Sequence, residues 1–117
     1  MTKSGYVPAQ GDVVWFDFDP QAGHEQGGRR PAVVLSPLAY NRLIGLALVC
    51  PVTSREKGYP FEVKLPAGLP VAGVVLADHV KSQDWRARGA EPIARLDEAT
   101  LAALLQRTAC LLQREKI

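Results

Sequence analysis

Asp12-Val13-Val14-Trp15-Phe16-Asp17-Phe18, preceded by Gly11 and followed by Asp19-Pro20, is the stretch on which the fold turns. Valine and aromatic side chains suit the pleated surface of a β-strand, and turn-forming residues bound the run on both sides. Alternation puts Val14, Phe16 and Phe18 on one face. The next β-branched run, Pro31-Ala32-Val33-Val34-Leu35-Ser36, reads as a second strand. Between the two lies a loop of about a dozen polar and glycine-rich residues, Asp19 to Arg30 (DPQAGHEQGGRR). Loops that long are unusual in compact domains and more often functional than not.

Pro37 to Arg42 suits a short helical turn that starts from Ser36. Leu46 to Val52 (LALVCPV) is a continuous apolar run of strand length, expected to be covered on both faces, with Pro51 placing its end near a sheet edge. A basic loop, Thr53 to Pro60, leads to Phe61-Glu62-Val63-Lys64-Leu65, whose strict alternation reads as a half-exposed strand. Pro66 to Ala72 is a turn, Gly73 to Val80 a further buried strand, and Pro92 to Arg95 a last short one. Asp97 is placed to cap a helix with Glu98 in its first turn, and Leu101, Leu104, Leu105, Cys110, Leu111 and Leu112 recur at helical spacing. Five or six short strands and one terminal helix predict a mainly β fold, a small and strongly bent barrel with a helix packed on it.

The length of 117 residues fits a single domain over 1–117, and 47% hydrophobic with 22% charged residues excludes global disorder. Leu43 to Val52, the longest largely apolar run, is about half the roughly 20 residues of a membrane helix, so no membrane span is expected. Met1 to Tyr6 shows no apolar run before a cleavage site, which points to a cytoplasmic protein without a secretory signal. Cys50 and Cys110 then read as small buried hydrophobes rather than a disulfide pair. Net charge is +2, but from Arg29 to Arg88 nine basic residues face four acidic ones, giving this segment +5 and the remainder −3. Such clustering suits phosphate contacts.

There is no phosphate-binding glycine loop ending in Lys-Ser/Thr and no Cys-x-x-Cys pair, and His24 and His79 lack the spacing of a zinc helix, so neither cofactor nor metal is expected. What remains is Gly23-His24-Glu25-Gln26-Gly27-Gly28-Arg29-Arg30-Pro31. It places a carboxylate and two guanidiniums within six residues on a backbone that three glycines allow to bend. Guanidinium binds phosphate bidentately and stays charged, while a carboxylate beside it can accept a proton.

Five blocks in order carry a resemblance over nearly the whole chain: Tyr6-Val7-Pro8 with Gly11-Asp12; Trp15 to Pro20; Glu25-Gln26 leading to Arg30-Pro31-Ala32-Val33-Val34-Leu35-Ser36; Lys57-Gly58-Tyr59-Pro60-Phe61-Glu62-Val63; and Leu76-Ala77-Asp78 through Val80-Lys81-Ser82 to Trp85-Arg86. The sequence resembles the MazF, PemK and Kid toxins of bacterial toxin–antitoxin modules. That resemblance implies an SH3-like barrel, a homodimer that cuts single-stranded RNA without metal at a short motif, with an ACA-containing site the first expectation, and a MazE-like antitoxin that silences it. It also implies a catalytic group of Glu25, Arg30 and Thr53. From the chemistry of RNA, Glu25 accepts the 2′-OH proton, Arg30 stabilises charge on the phosphorane, and Thr53 hydrogen-bonds a phosphate oxygen.

Arg29, Ser54, Arg55, Lys57, Lys81, Arg86 and Arg88 are expected to contact RNA, Asp78 to read a base edge, and Phe18, Tyr59 or Trp85 to stack on unpaired bases, with a core or dimer-interface role the alternative for Phe18 and Trp85. His24 and His79 are either RNA contacts or a rival acid/base pair. A non-enzymatic reading also stands, since gyrase-poisoning toxins use the same barrel. Those depend on a Trp-Gly-Ile ending, whereas this sequence closes on Arg114-Glu115-Lys116-Ile117.

Overall fold

In the computed structural model, which describes residues 5–116, two apolar interiors flank the same strands. The elements are β1 (Asp12–Asp17), β2 (Arg29–Val34), α1 (Leu38–Ile44), β3 (Leu46–Thr53), β4 (Glu62–Lys64), β5 (Val74–Leu76), a 3₁₀ turn (Ala77–His79), β6 (Lys81–Asp84), β7 (Glu91–Arg95) and α2 (Glu98–Cys110). Val14 and Phe16, with Phe18 just beyond β1, pack with Ala32, Val34, Ala47, Val49, Trp85 and Ala90. Val13 on the opposite face packs with Val33, Cys50, Val52, Val63, Val75 and Leu104. Burial on both faces is why these strands read as unbroken apolar runs rather than as alternating ones.

The order of the antiparallel sheet is β4-β5-β3-β2-β1-β7, with β6 also pairing β3. Early β3 pairs β6 (Leu46↔Asp84 to Val49↔Lys81), and its end pairs β5 (Val52↔Val75, Thr53↔Val74). The turn from Trp85 to Ala90 carries the chain from β6 across to β7, curling the sheet around Phe16 and Trp85. Among the described residues no ladder joins β6 to β7, so the barrel stays open along that seam. α2 covers the other face through Leu104, which is fully buried, and the expected cap forms, with Asp97 Oδ2 accepting from Thr100 N at 3.0 Å. Emptying the Leu104 site would cost about 2–5 kcal/mol.

Several expectations change. Pro51 is not near a sheet edge: it is buried opposite Ala32, at the point where β3 exchanges β6 for β5 as its outer partner, so a residue without an N–H interrupts no ladder there. The strand expected over Gly73 to Val80 ends at Leu76 and gives way to the 3₁₀ turn. β6, Lys81-Ser82-Gln83-Asp84, is a strand that its polar composition concealed. Ser36 does not cap α1: its hydroxyl donates to Asn41 Oδ1 at 2.5 Å and accepts from Leu48 N at 2.8 Å, part of a buried network that also takes Trp85 Nε1 to Asn41 O. Cys50 is buried as expected, but Cys110, Leu111 and Leu112 face solvent at the end of α2.

Candidate active site

Alternation along β2 separates its two arginines. Arg30 lies opposite Phe16 and shares the inward face, whereas Arg29 lies opposite Asp17 on the outward one. At the mouth of the barrel Arg30 is half-buried, its Nε donating to Gly27 O at 2.8 Å and its Nη1 to Val52 O at 3.4 Å. Two main-chain carbonyls therefore aim the guanidinium, one from the β1–β2 loop and one from β3. The loop can supply its carbonyl because Gly27 is packed against Gln21 at a distance no Cβ would allow, and because Asp19 Oδ1 accepts from Gly28 N at 2.7 Å.

Thr53 closes β3 on the same inward face. It is buried, its Oγ1 accepts from Arg55 N at 3.2 Å, and its hydroxyl proton remains to be donated. Behind it, the backbone of Gly73 (φ +131°) approaches so closely that a Cβ there would lie 2.3 Å from Thr53 O. Glu25 reaches the same place from the loop and accepts from Lys81 Nζ at 2.8 Å. The Lys81 hydrogen bond and charge, with a smaller contribution from His79, hold the Glu25 carboxyl below the usual carboxylate range, so it is ionised at neutral pH.

These three side chains line one groove of ≈ 720 Å³, together with His24, Ser54, Arg55, Lys57, Tyr59 and His79. Lys81 joins them through Glu25. Asp78 joins through Tyr59, whose hydroxyl donates to Asp78 Oδ1 at 2.8 Å; burial and that carboxylate together push the phenol upward. The groove thus combines an ionised carboxylate, an oriented guanidinium, a hydroxyl donor and further cations, a set suited to a phosphodiester. Among the described residues no three His, Cys, Asp or Glu side chains form a metal-binding group.

Five of the expected RNA contacts, Phe18, Trp85, Arg86, Arg29 and Arg88, do not line the groove. Phe18 is buried, packed on Phe16 with ring centroids 5.0 Å apart, so it is a core residue and offers no face to a base. Trp85 is likewise core, and Arg86 lies over its ring at 5.2 Å. Arg29 Nη2 donates to Gly89 O and to Glu91 Oε1 at 2.6 Å, and Arg88 Nη1 to Asp17 O and Asp19 O, so both tie the turn between β6 and β7 to the ends of β1 and β2. Gln21, Gln26, Glu62 and Leu76 also line the groove, and sequence reasoning missed them. Gln26, Glu62 and Leu76 each stand in one of the blocks that carry the resemblance, and that was their only local signal; Gln21 had none.

Fold and groove define an open SH3-like barrel with a cleft at its mouth that sets Arg30, Arg55 and Lys57 around the Glu25 carboxylate. Residues 9–112 match the family described as PemK-like, MazF-like toxin of type II toxin-antitoxin system. The chain belongs to that family. It is 60% identical over 87 residues to the endoribonuclease toxin MazF of Escherichia coli (strain K12), an overlap covering 74% of this chain and 78% of the relative. The crystal structure of MazF from Deinococcus radiodurans superposes with a TM-score of 0.89 at 62% identity, covering 92% of this chain and 97% of that one. A MazE-MazF crystal structure from the same organism gives 0.81 at 55%, covering 92% and 96%.

Proposed function

We propose that this chain is the endoribonuclease toxin of a toxin–antitoxin pair, cutting single-stranded RNA at a short motif by attack of the substrate's own 2′-OH. The observation that carries the reading is the convergence of Glu25, Arg30 and Thr53, from three separate segments, on one cationic groove. The endoribonuclease names of its relatives favour it over the gyrase-directed alternative.

In this reading Glu25 takes the 2′-OH proton as O2′ bonds to phosphorus. Arg30, charged throughout, offsets the charge that builds on the phosphorane, and Thr53 donates a hydrogen bond to a non-bridging oxygen. The P–O5′ bond breaks, and the leaving oxygen takes its proton from His24, His79 or water. A 2′,3′-cyclic phosphate and a 5′-hydroxyl result. Arg55, Lys57 and Lys81 bind flanking phosphates and Ser54 assists. The protein works as a cytoplasmic homodimer, without metal, and a MazE-like antitoxin masks it, a partnership supported by the MazE-MazF structures of its relative.

The test incubates wild-type and Arg30→Ala protein with a long single-stranded RNA in EDTA and maps the cut ends. The expected result is discrete cuts with 5′-hydroxyl ends, and about 10²–10³-fold slower cleavage by Arg30→Ala. No cutting by folded wild type, or undiminished cutting by the variant, would overturn the assignment.

A further inference from the structure

The loop between β3 and β4 carries Lys57 and Tyr59 to the groove wall, and the residue that shapes it is an acid with no role in the mechanism above. Glu62, the first residue of β4, accepts from Lys57 N through Oε2 at 2.9 Å and from Gly58 N through Oε1 at 2.7 Å. Gly58, at φ +85°, adopts a backbone conformation that side chains disfavour. Glu62 N donates back to Tyr59 O at 3.1 Å, and behind the turn Arg107 of α2 donates to the carbonyls of Pro60 and Glu62. The turn is therefore held from the groove side by a carboxylate and from the helix side by a guanidinium.

We propose that Glu62 is a positioning residue for RNA recognition: by holding the two N–H groups at the head of the turn, it presents Lys57 and Tyr59 as a preformed wall. The inference rests on the RNA-cutting reading. Two physical arguments carry it. A turn fixed beforehand spares the complex the entropy of ordering it, which favours binding. Adjacent main-chain N–H groups are also an anion site in their own right. With both engaged by Glu62, a phosphate on this wall meets the Lys57 ammonium and the neighbouring base meets Tyr59. Glu62 thus governs which nucleotide is held and how tightly, and leaves the bond-breaking step to Glu25, Arg30 and Thr53.

The experiment measures kcat and KM on a short RNA containing the mapped cut site, with cut positions read on a long RNA, for wild type, Glu62→Ala, Glu62→Gln and Gly58→Ala. Glu62→Ala is expected to raise KM about tenfold with kcat within about twofold, and to cut at additional sites. Glu62→Gln, which retains one acceptor oxygen, recovers part of the loss. Gly58→Ala, where a Cβ meets nothing within 4 Å and only the backbone is strained, reproduces the KM rise without touching the carboxylate. Should Glu62→Ala fail to fold, the Gln and Gly58 variants decide. Unchanged KM and cut sites in folded variants, or a fall in kcat at constant KM, overturns the inference while the endonuclease reading stands. Wild type that neither binds nor cuts RNA overturns both.

Discussion

Replacing Gly73 by alanine tests whether the position of Thr53 depends on a backbone contact made just ahead of β5. A Cβ on Gly73 would lie 2.3 Å from Thr53 O and 3.0 Å from Thr53 C, and real contacts do not fall below 3.0 Å. The two backbones must therefore part by about 0.7 Å where Thr53 pairs with Val74. A misplacement of about 1 Å can cost about 10²-fold in rate, so kcat/KM for RNA cleavage is expected to fall about 10–100-fold. Gly68→Ala is the control. Gly68 also has a positive φ (+94°), but a Cβ there meets nothing within 4 Å. Its cost is conformational strain of about 1–2 kcal/mol, with cleavage within about twofold of wild type. The assay pairs urea unfolding at fixed protein concentration with single-turnover cleavage, so that lost stability and lost geometry are read separately. If Gly73→Ala unfolds and cuts like Gly68→Ala, the close approach does not set Thr53, or Thr53 does not act in the reaction.

Lys81→Met removes the largest cause of the lowered Glu25 pKa. A base must be ionised, so activity is lost as pH falls through that pKa. The acid limb of the rate profile is expected to move up toward the ordinary carboxylate value of about 4.3, and to stay low in Lys81→Arg. A limb that ignores Lys81 and disappears in a His24/His79 double variant would transfer the base role to histidine. For the thiols, burial pushes Cys50 up to about 12, while Cys110 is exposed. A thiol reagent at neutral pH should label one cysteine in the folded protein, none after Cys110→Ser, and Cys50 only on unfolding; native labelling of Cys50 would contradict its burial.

Much of the architecture is local and hence legible in the chain. β1, β2, β3 and α2 follow from β-branched runs, turn residues and a capped helical repeat, because each reports the preference of neighbouring residues for one backbone conformation. The blocks in the sequence contain Glu25 and Arg30, and the resemblance they carry added Thr53; all three line the groove. β6 escaped because pairing with β3, rather than its own composition, makes Lys81 to Asp84 a strand. Adjacent basic residues likewise look alike in sequence, and only the alternation about a known sheet face sends Arg30 into the groove and Arg29 to Glu91.

By itself the sequence determined which segments bend, extend or coil, and which residue types were available for phosphate chemistry. Tertiary structure decided which of them meet. Lys81 reaches Glu25 across 56 positions, Arg107 reaches the Glu62 turn across 45, and Phe18 is withdrawn into the core. Contacts at such separations depend on strand pairing and on how the sheet closes around its interior, and no local pattern of residues encodes either.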